Sequence, residues 1–218
     1  MILIDKPAGL TSFGVVARVR RVLSKREGKK VKVGHTGTLD PFATGLLILM
    51  AGKDTRKCQE FLKLDKEYLA TFCLGKVSTT GDPEGEITVR EEERVPSEEE
   101  VRAVLAGLTG KIVQKVPAYS AVKVGGRRAY ELARRGQEVE TPSREVEIYE
   151  LELLDYEYPE VRVRAKVSSG TYIRTLGEDI GERLQTGAYT MQLRRTQVGE
   201  YRVEEAEELE EWMRRNDG

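Results

Sequence analysis

Gly34-His35-Thr36-Gly37-Thr38-Leu39-Asp40-Pro41-Phe42-Ala43-Thr44-Gly45-Leu46-Leu47 is the stretch whose reading decides the fold. It opens as a loop: glycines permit close backbone approach and unusual dihedrals, and threonines offer hydroxyls. Asp40 is expected to be extended, because a following proline disfavours helix at the preceding residue. The loop then feeds the apolar run Leu46-Leu47-Ile48-Leu49-Met50, whose length suits a buried strand. A carboxylate fixed ahead of such a strand can act as a nucleophile. By pattern alone, however, an Asp-Pro in a Gly/Thr loop is more often a turn, and His35 is more often a hydrogen-bonded structural residue.

Upstream, Ile2-Leu3-Ile4 reads as a short buried strand stopped by Pro7 and Gly9. Thr11 or Ser12 can cap a helix whose apolar positions Val15, Val16, Val19, Val22 and Leu23 recur at helical spacing. Arg18, Arg21 and Lys25 give that helix a basic side, and residues 25–32 read as a mobile basic loop. Downstream, residues 68–74 form a strand buried on both faces, and Asp82-Pro83-Glu84-Gly85 a turn. Ser97 with Glu100 is a capping box for a helix carrying Val101, Val104, Leu105 and Leu108. Val161 to Val167 alternates strictly, presenting Arg162, Arg164 and Lys166 on one face, either an RNA-facing surface or an ordinary solvated one. Helices are expected over 175–184 and 204–215. Strands and helices mix without regular alternation, which predicts an α+β fold, and one domain is the simpler reading of 218 residues.

Composition narrows the chemistry. With one histidine and two cysteines, a standard zinc site is nearly excluded, and a Ser/His/Asp triad would have to be built around His35, with no Gly-x-Ser-x-Gly elbow to meet it. Gly45 to Gly52 is two residues too long for a phosphate loop, and Asp54 stands where a hydroxyl should coordinate magnesium. The reaction is therefore expected to run on side chains alone. No long apolar run suggests a membrane span or leader, so the cytoplasm is the default compartment and a monomer the default state. The net charge of −1 conceals segregation. Residues 1–35 hold nine bases against two acids (9 − 2 = +7), residues 111–135 seven against one (7 − 1 = +6), and residues 200–218 three against eight (3 − 8 = −5). Any one run suits a solvated helix face; together they point to a polyanionic ligand.

The central stretch resembles that of the bacterial tRNA pseudouridine synthase B (TruB) family. Further resemblances follow in order: Asp5-Lys6-Pro7-Ala8-Gly9, Lys66-Glu67-Tyr68, Val116 to Lys123, Gly126 to Gly136, Ser169 to Leu176, and Leu193-Arg194-Arg195-Thr196. The resemblance implies a pseudouridine synthase fold, a mixed, largely antiparallel central sheet flanked by helices and RNA-binding loops. It implies conversion of uridine 55 in the T loop of tRNA to pseudouridine by base flipping, with no cofactor and no metal. Asp40 is then the catalytic carboxylate, Arg174 its cationic partner, and Tyr68 the aromatic that stacks on the base and helps remove the proton from its new bonding carbon. His35, Thr38, Tyr172 and Leu193 fall in the substrate-binding set, and Lys6 supports the site. The expected partner is the tRNA T-arm stem-loop. Residues 1–218 are expected as one catalytic domain, without the small C-terminal RNA-binding (PUA-like) domain common in the family. The alternatives are a guide-RNA-dependent synthase, a non-catalytic tRNA-binding or folding protein, and a nucleoside hydrolase.

Overall fold

The computed structural model describes residues 1–90, 94–120, 122–133, 135–137 and 139–217. Ala121 and Arg134, within the motifs quoted above, lie outside the described residues, as does the side chain of Arg128. The chain runs through β1 (Ile2–Lys6), α1 (Ser12–Arg26), β2 (Val33–His35), β3 (Thr44–Ala51), a 3-10 turn (Gly52–Lys57), α2 (Cys58–Leu62) and β4 (Lys66–Leu74). It continues through β5 (Lys76–Ser78), β6 (Ile87–Val89), α3 (Glu98–Leu108), β7 (Gly110–Lys115), β8 (Lys123–Val124), β9 (Arg127–Arg128), α4 (Ala129–Ala133), β10 (Ser143–Glu157), β11 (Glu160–Val167) and α5 (Ile173–Arg183). The last elements are β12 (Ala188–Val198), β13 (Tyr201–Arg202), β14 (Glu207–Glu208) and α6 (Leu209–Asn216). Contacts divide the chain into two compact units, Met1–Leu69 with Leu193–Gly218, and Ala70–Gln192. Strands β4 and β12 pass from one unit into the other. As the α+β reading expected, the sheet is mixed and largely antiparallel, with helices flanking it.

The first unit is built on β3. A continuous apolar strand must be covered on both faces. Leu47 and Leu49 pack with Ile4, with Val15, Val16, Val19, Val22 and Leu23 of α1, and with Leu209 and Trp212 of α6. Leu46, Ile48 and Met50 point the other way, against Val198 and Val203. Strand β1 pairs antiparallel with β3, setting Lys6 opposite Gly45 and Ile2 opposite Leu49. On the other side of β3, β12 runs parallel, with Arg194 beside Thr44 and Arg195 beside Gly45. The Thr11 hydroxyl caps α1 by accepting from the Gly14 amide at 2.9 Å, which leaves Ser12 for another task. The expected helix over 204–215 is corrected: Ala206 is extended (φ −89°, ψ 147°), β14 pairs parallel with β1, and α6 starts only at Leu209. Sheet pairing overrode the helical pattern at Glu207 and Glu208.

In the second unit β10 lies between β7 and β11, antiparallel to both. The capping box of α3 forms as expected: Ser97 Oγ accepts from the Glu100 amide, and the Glu100 carboxylate from the Ser97 amide. On β11 the apolar face (Val161, Val163, Ala165, Val167) is buried. The opposite face sets Arg162, Arg164 and Lys166 across from Asp155, Glu152 and Glu150, with Arg164 to Glu152 at 2.7 Å. These cations are matched by acids on β10, so this is a solvated, ion-paired sheet face. Helix α5 starts at Ile173, two residues before the expected 175, which brings Arg174 into its first turn as a buried side chain.

Candidate active site

Asp40 is half-buried in the connection between β2 and β3, and the residues around it are fixed from several directions. The Ser12 hydroxyl accepts from the Leu39 amide at 2.8 Å and donates to the Leu39 carbonyl at 2.9 Å. Lys6, fully buried, donates to the carbonyls of Pro7 (2.8 Å), Leu10 (2.7 Å) and Pro41 (3.2 Å). The Gly9 amide donates to the same Pro41 carbonyl at 2.8 Å. Arg195, also buried, donates from Nε to the Leu46 carbonyl (2.8 Å), from Nη1 to Thr38 (3.4 Å) and from Nη2 to Gly37 (3.2 Å). Buried cations persist only when their donors are satisfied, and here backbone carbonyls satisfy them. The residues before and after Asp40 are thus pinned, so the carboxylate is presented at a defined place with positive charge bound to neighbouring carbonyls. Gly45 completes the arrangement: at φ +103°, an added Cβ would sit 2.3 Å from the Arg195 carbonyl oxygen.

Most of the expected site residues lie in this unit. His35 Nδ1 accepts from the Gly37 amide at 3.4 Å, an intraloop contact. Thr38 is exposed, although its carbonyl is held by Arg195. Tyr68 on β4 and Leu193 on β12 are both buried, on strands that are neighbours in the sheet. Arg194 holds Asp5 with two bonds, at 3.0 and 2.6 Å, joining two motifs of the sequence. Lys66 donates to the carbonyls of Leu62 and Leu64; burial, then the charge of Arg195, pulls its pKa from 10.5 to about 8.

Arg174 and Tyr172 lie in the second unit. Arg174 donates to the carbonyls of Thr80 and Tyr119, each at 2.8 Å, and sits 3.3 Å from the Asp82 carboxylate in a pair with both side chains buried. Asp82 is itself held by the Thr80 hydroxyl and the Glu84 amide. The side-chain amide of Gln114 accepts from the Tyr172 amide at 3.0 Å and donates to the Tyr172 carbonyl at 3.3 Å, fixing the backbone just before Arg174. The guanidinium of Arg144 lies 5.4 Å from the Tyr172 ring centroid, a cation–π arrangement. Four residues with positioning roles, Ser12, Asp82, Gln114 and Arg195, escaped the sequence reading. Arg195 stood within a quoted motif, but nothing in the sequence marks an arginine as buried.

The pattern of the TruB family pseudouridylate synthase N-terminal domain matches residues 20–173, and that of the tRNA pseudouridylate synthase B C-terminal domain matches residues 174–217. The chain belongs to the TruB family. It is 47% identical over 210 residues to tRNA pseudouridine synthase B of Desulfotalea psychrophila, covering 94% of this chain and 83% of that one. With the protein of that name from Bacteroides thetaiotaomicron it shares 46% over 221 residues, covering 98% and 92%. A crystal structure of a Cbf5-Nop10-Gar1 complex superposes with a TM-score of 0.73 at 32% identity, over 98% of this chain and 53% of the other. An H/ACA RNP bound to a substrate RNA containing 2′-deoxyuridine gives 0.72 at 30% identity, over 98% and 52%. The TruB chain thus spans about half the length of these solved chains. It is an isomerase that converts uridine to pseudouridine in tRNA.

Proposed function

We propose that this TruB enzyme acts on uridine 55 in the T loop of tRNA, with Asp40 as the carboxylate that attacks the sugar or assists departure of the base. The observation that carries the reading is the pinning of Gly37, Thr38, Leu39 and Pro41 around Asp40. A group held at one geometry serves a bond-breaking step better than a turn residue does. The cations on the neighbouring carbonyls favour an ionised carboxylate. In the reaction the glycosidic C–N bond breaks, the flipped base turns, a C–C bond forms to the same sugar carbon, and the proton on that base carbon is lost while the freed ring nitrogen takes one up. Tyr68 is assigned stacking on the base and help with that proton. Arg174 is assigned as the cationic partner of Asp40, and His35, Thr38, Tyr172 and Leu193 as contacts to the loop and base.

The guide-dependent alternative is less favoured. The tRNA-named relatives are matched over most of their length, and the H/ACA chains over about half. A stand-alone cytoplasmic monomer remains the proposed state. Among the described residues no helix is long and apolar enough to cross a membrane.

The test incubates the protein with an unmodified tRNA transcript or a T-arm hairpin and assays for pseudouridine. Wild type is expected to form it, and Asp40→Asn to be slower by about 10³-fold or more while still binding RNA. Absence of product from wild type that binds the RNA sinks the substrate assignment. Full activity of Asp40→Asn sinks the role of Asp40 alone.

A further inference from the structure

A concavity in the first unit, of about 620 Å³, lies where the end of α1, the turn before β2 and the 3-10 turn after β3 meet. Arg26, Lys29, Lys30, Lys32, Lys53 and Arg56 line it, with Glu27 as the acid among its lining residues. All six cations are exposed, and among the described residues none has an ion pair; Arg26 donates only to the Asn216 amide oxygen. Other surface bases do find acids, as Lys25 with Asp217, Arg102 with Glu98 and Arg164 with Glu152, and the six here are set apart by sharing one hollow with a single acid in its lining. In a chain with 36 bases and 37 acids, partners were abundant, so six like charges around one hollow stand out. Complementation of the α1 dipole by a basic last turn accounts for Arg26 but not for Lys53 and Arg56 on the opposite wall. The hollow is also built: the Val31 amide donates to Ser24 Oγ at 3.0 Å, and the Gly52 amide to the Lys32 carbonyl at 2.7 Å.

Its position separates it from the Asp40 loop. That loop enters β3 at Thr44, whereas the hollow lies at Ala51 and Gly52, six strand residues beyond Gly45, or roughly 20 Å at the usual rise. We propose that this hollow is a second RNA site, which grips the phosphate backbone of the tRNA beyond the T arm and contributes affinity without entering the chemistry. Lysine and arginine around an open hollow read phosphates and not base identity, so the grip is indifferent to sequence.

The inference rests on tRNA as the substrate, and the test keeps the two apart. The triple variant Lys29→Gln/Lys30→Gln/Lys53→Gln is compared with wild type for binding and turnover of a full-length tRNA transcript and of an isolated T-arm hairpin. For the transcript, Kd and KM are expected to rise about tenfold at low salt, and the slope of log K against log salt to fall by about two to three. The kcat is expected within about twofold of wild type, and hairpin binding likewise. An unrelated RNA duplex should compete with the transcript on wild type and much less on the variant. The conservative Lys29→Arg/Lys30→Arg/Lys53→Arg, which keeps charge, should bind as wild type and controls for folding. Unchanged transcript binding and salt slope in the Gln variant overturn the site. Equal loss for transcript and hairpin also overturns it, since the hollow then belongs to the T-arm contact. A wild type that binds tRNA but makes no pseudouridine fails the substrate assignment and leaves these binding measurements standing.

Discussion

Lys6 and Arg195 on one side, and Lys29, Lys30 and Lys53 on the other, carry the same charge within the same unit and put it to opposite uses. The first two are buried and spend their donors on backbone carbonyls around Asp40. The other three stand exposed around a hollow with no acid paired to them among the described residues. The difference teaches that where a cation's hydrogen bonds go, more than its charge, decides its role. Inward cations fix a loop, and outward ones wait for a ligand.

The sharpest way to break this comparison is Arg195→Met. It strips the carbonyls of Leu46, Thr38 and Gly37 of a buried donor, and each such loss costs about 1–3 kcal/mol. Urea denaturation should show about 3 kcal/mol or more of lost stability, and pseudouridine formation should collapse with it. Arg195→Lys should fall between, since one ammonium cannot reproduce the guanidinium fork. A variant as stable and active as wild type would make the inward cation dispensable.

A smaller effect concerns Lys66, a third inward cation. Its folded-state pKa is lowered from 10.5 to about 8, so between those values the unfolded chain binds more protons than the folded one. Unfolding free energy should therefore rise as pH goes from about 8 to 10.5, by about 1 kcal/mol once solvent screening is allowed for. Lys66→Met should flatten that rise, read from urea titrations at several pH values. The smallest effect belongs to the outward set: the triple Gln variant should melt within about 2 °C of wild type, because exposed substitutions without packing partners change stability little.

The same distinction marks what the sequence makes legible. The helical spacing of Val15 to Leu23, the apolar run of β3, the alternation of β11 and the Ser97–Glu100 box are local patterns, and each forms as read. The Asp40 loop is conspicuous for the same reason. The supports of that loop are not local: Ser12 meets Leu39 across 27 residues, and Arg195 meets Gly37 across 158. Ser12 beside Thr11 reads as a cap, and a buried arginine runs against the usual burial order. The start of α6 was misplaced because β14 pairs with β1, a partner some 200 residues away. The β10 pairing that turns Arg162, Arg164 and Lys166 into a matched face is equally invisible from β11 alone.

The anchoring of the Asp40 loop also bears on the order in which the protein is made. Ser12 and Lys6 leave the ribosome before Asp40, but Arg195 emerges 155 residues after it. Until then the carbonyls of Gly37, Thr38 and Leu46 lack their guanidinium, and β3 lacks the β12 neighbour beside Thr44 and Gly45. A nascent or truncated chain that stops short of β12 therefore holds the whole Asp40 motif without its finished geometry, and RNA modification waits until β12 has been made.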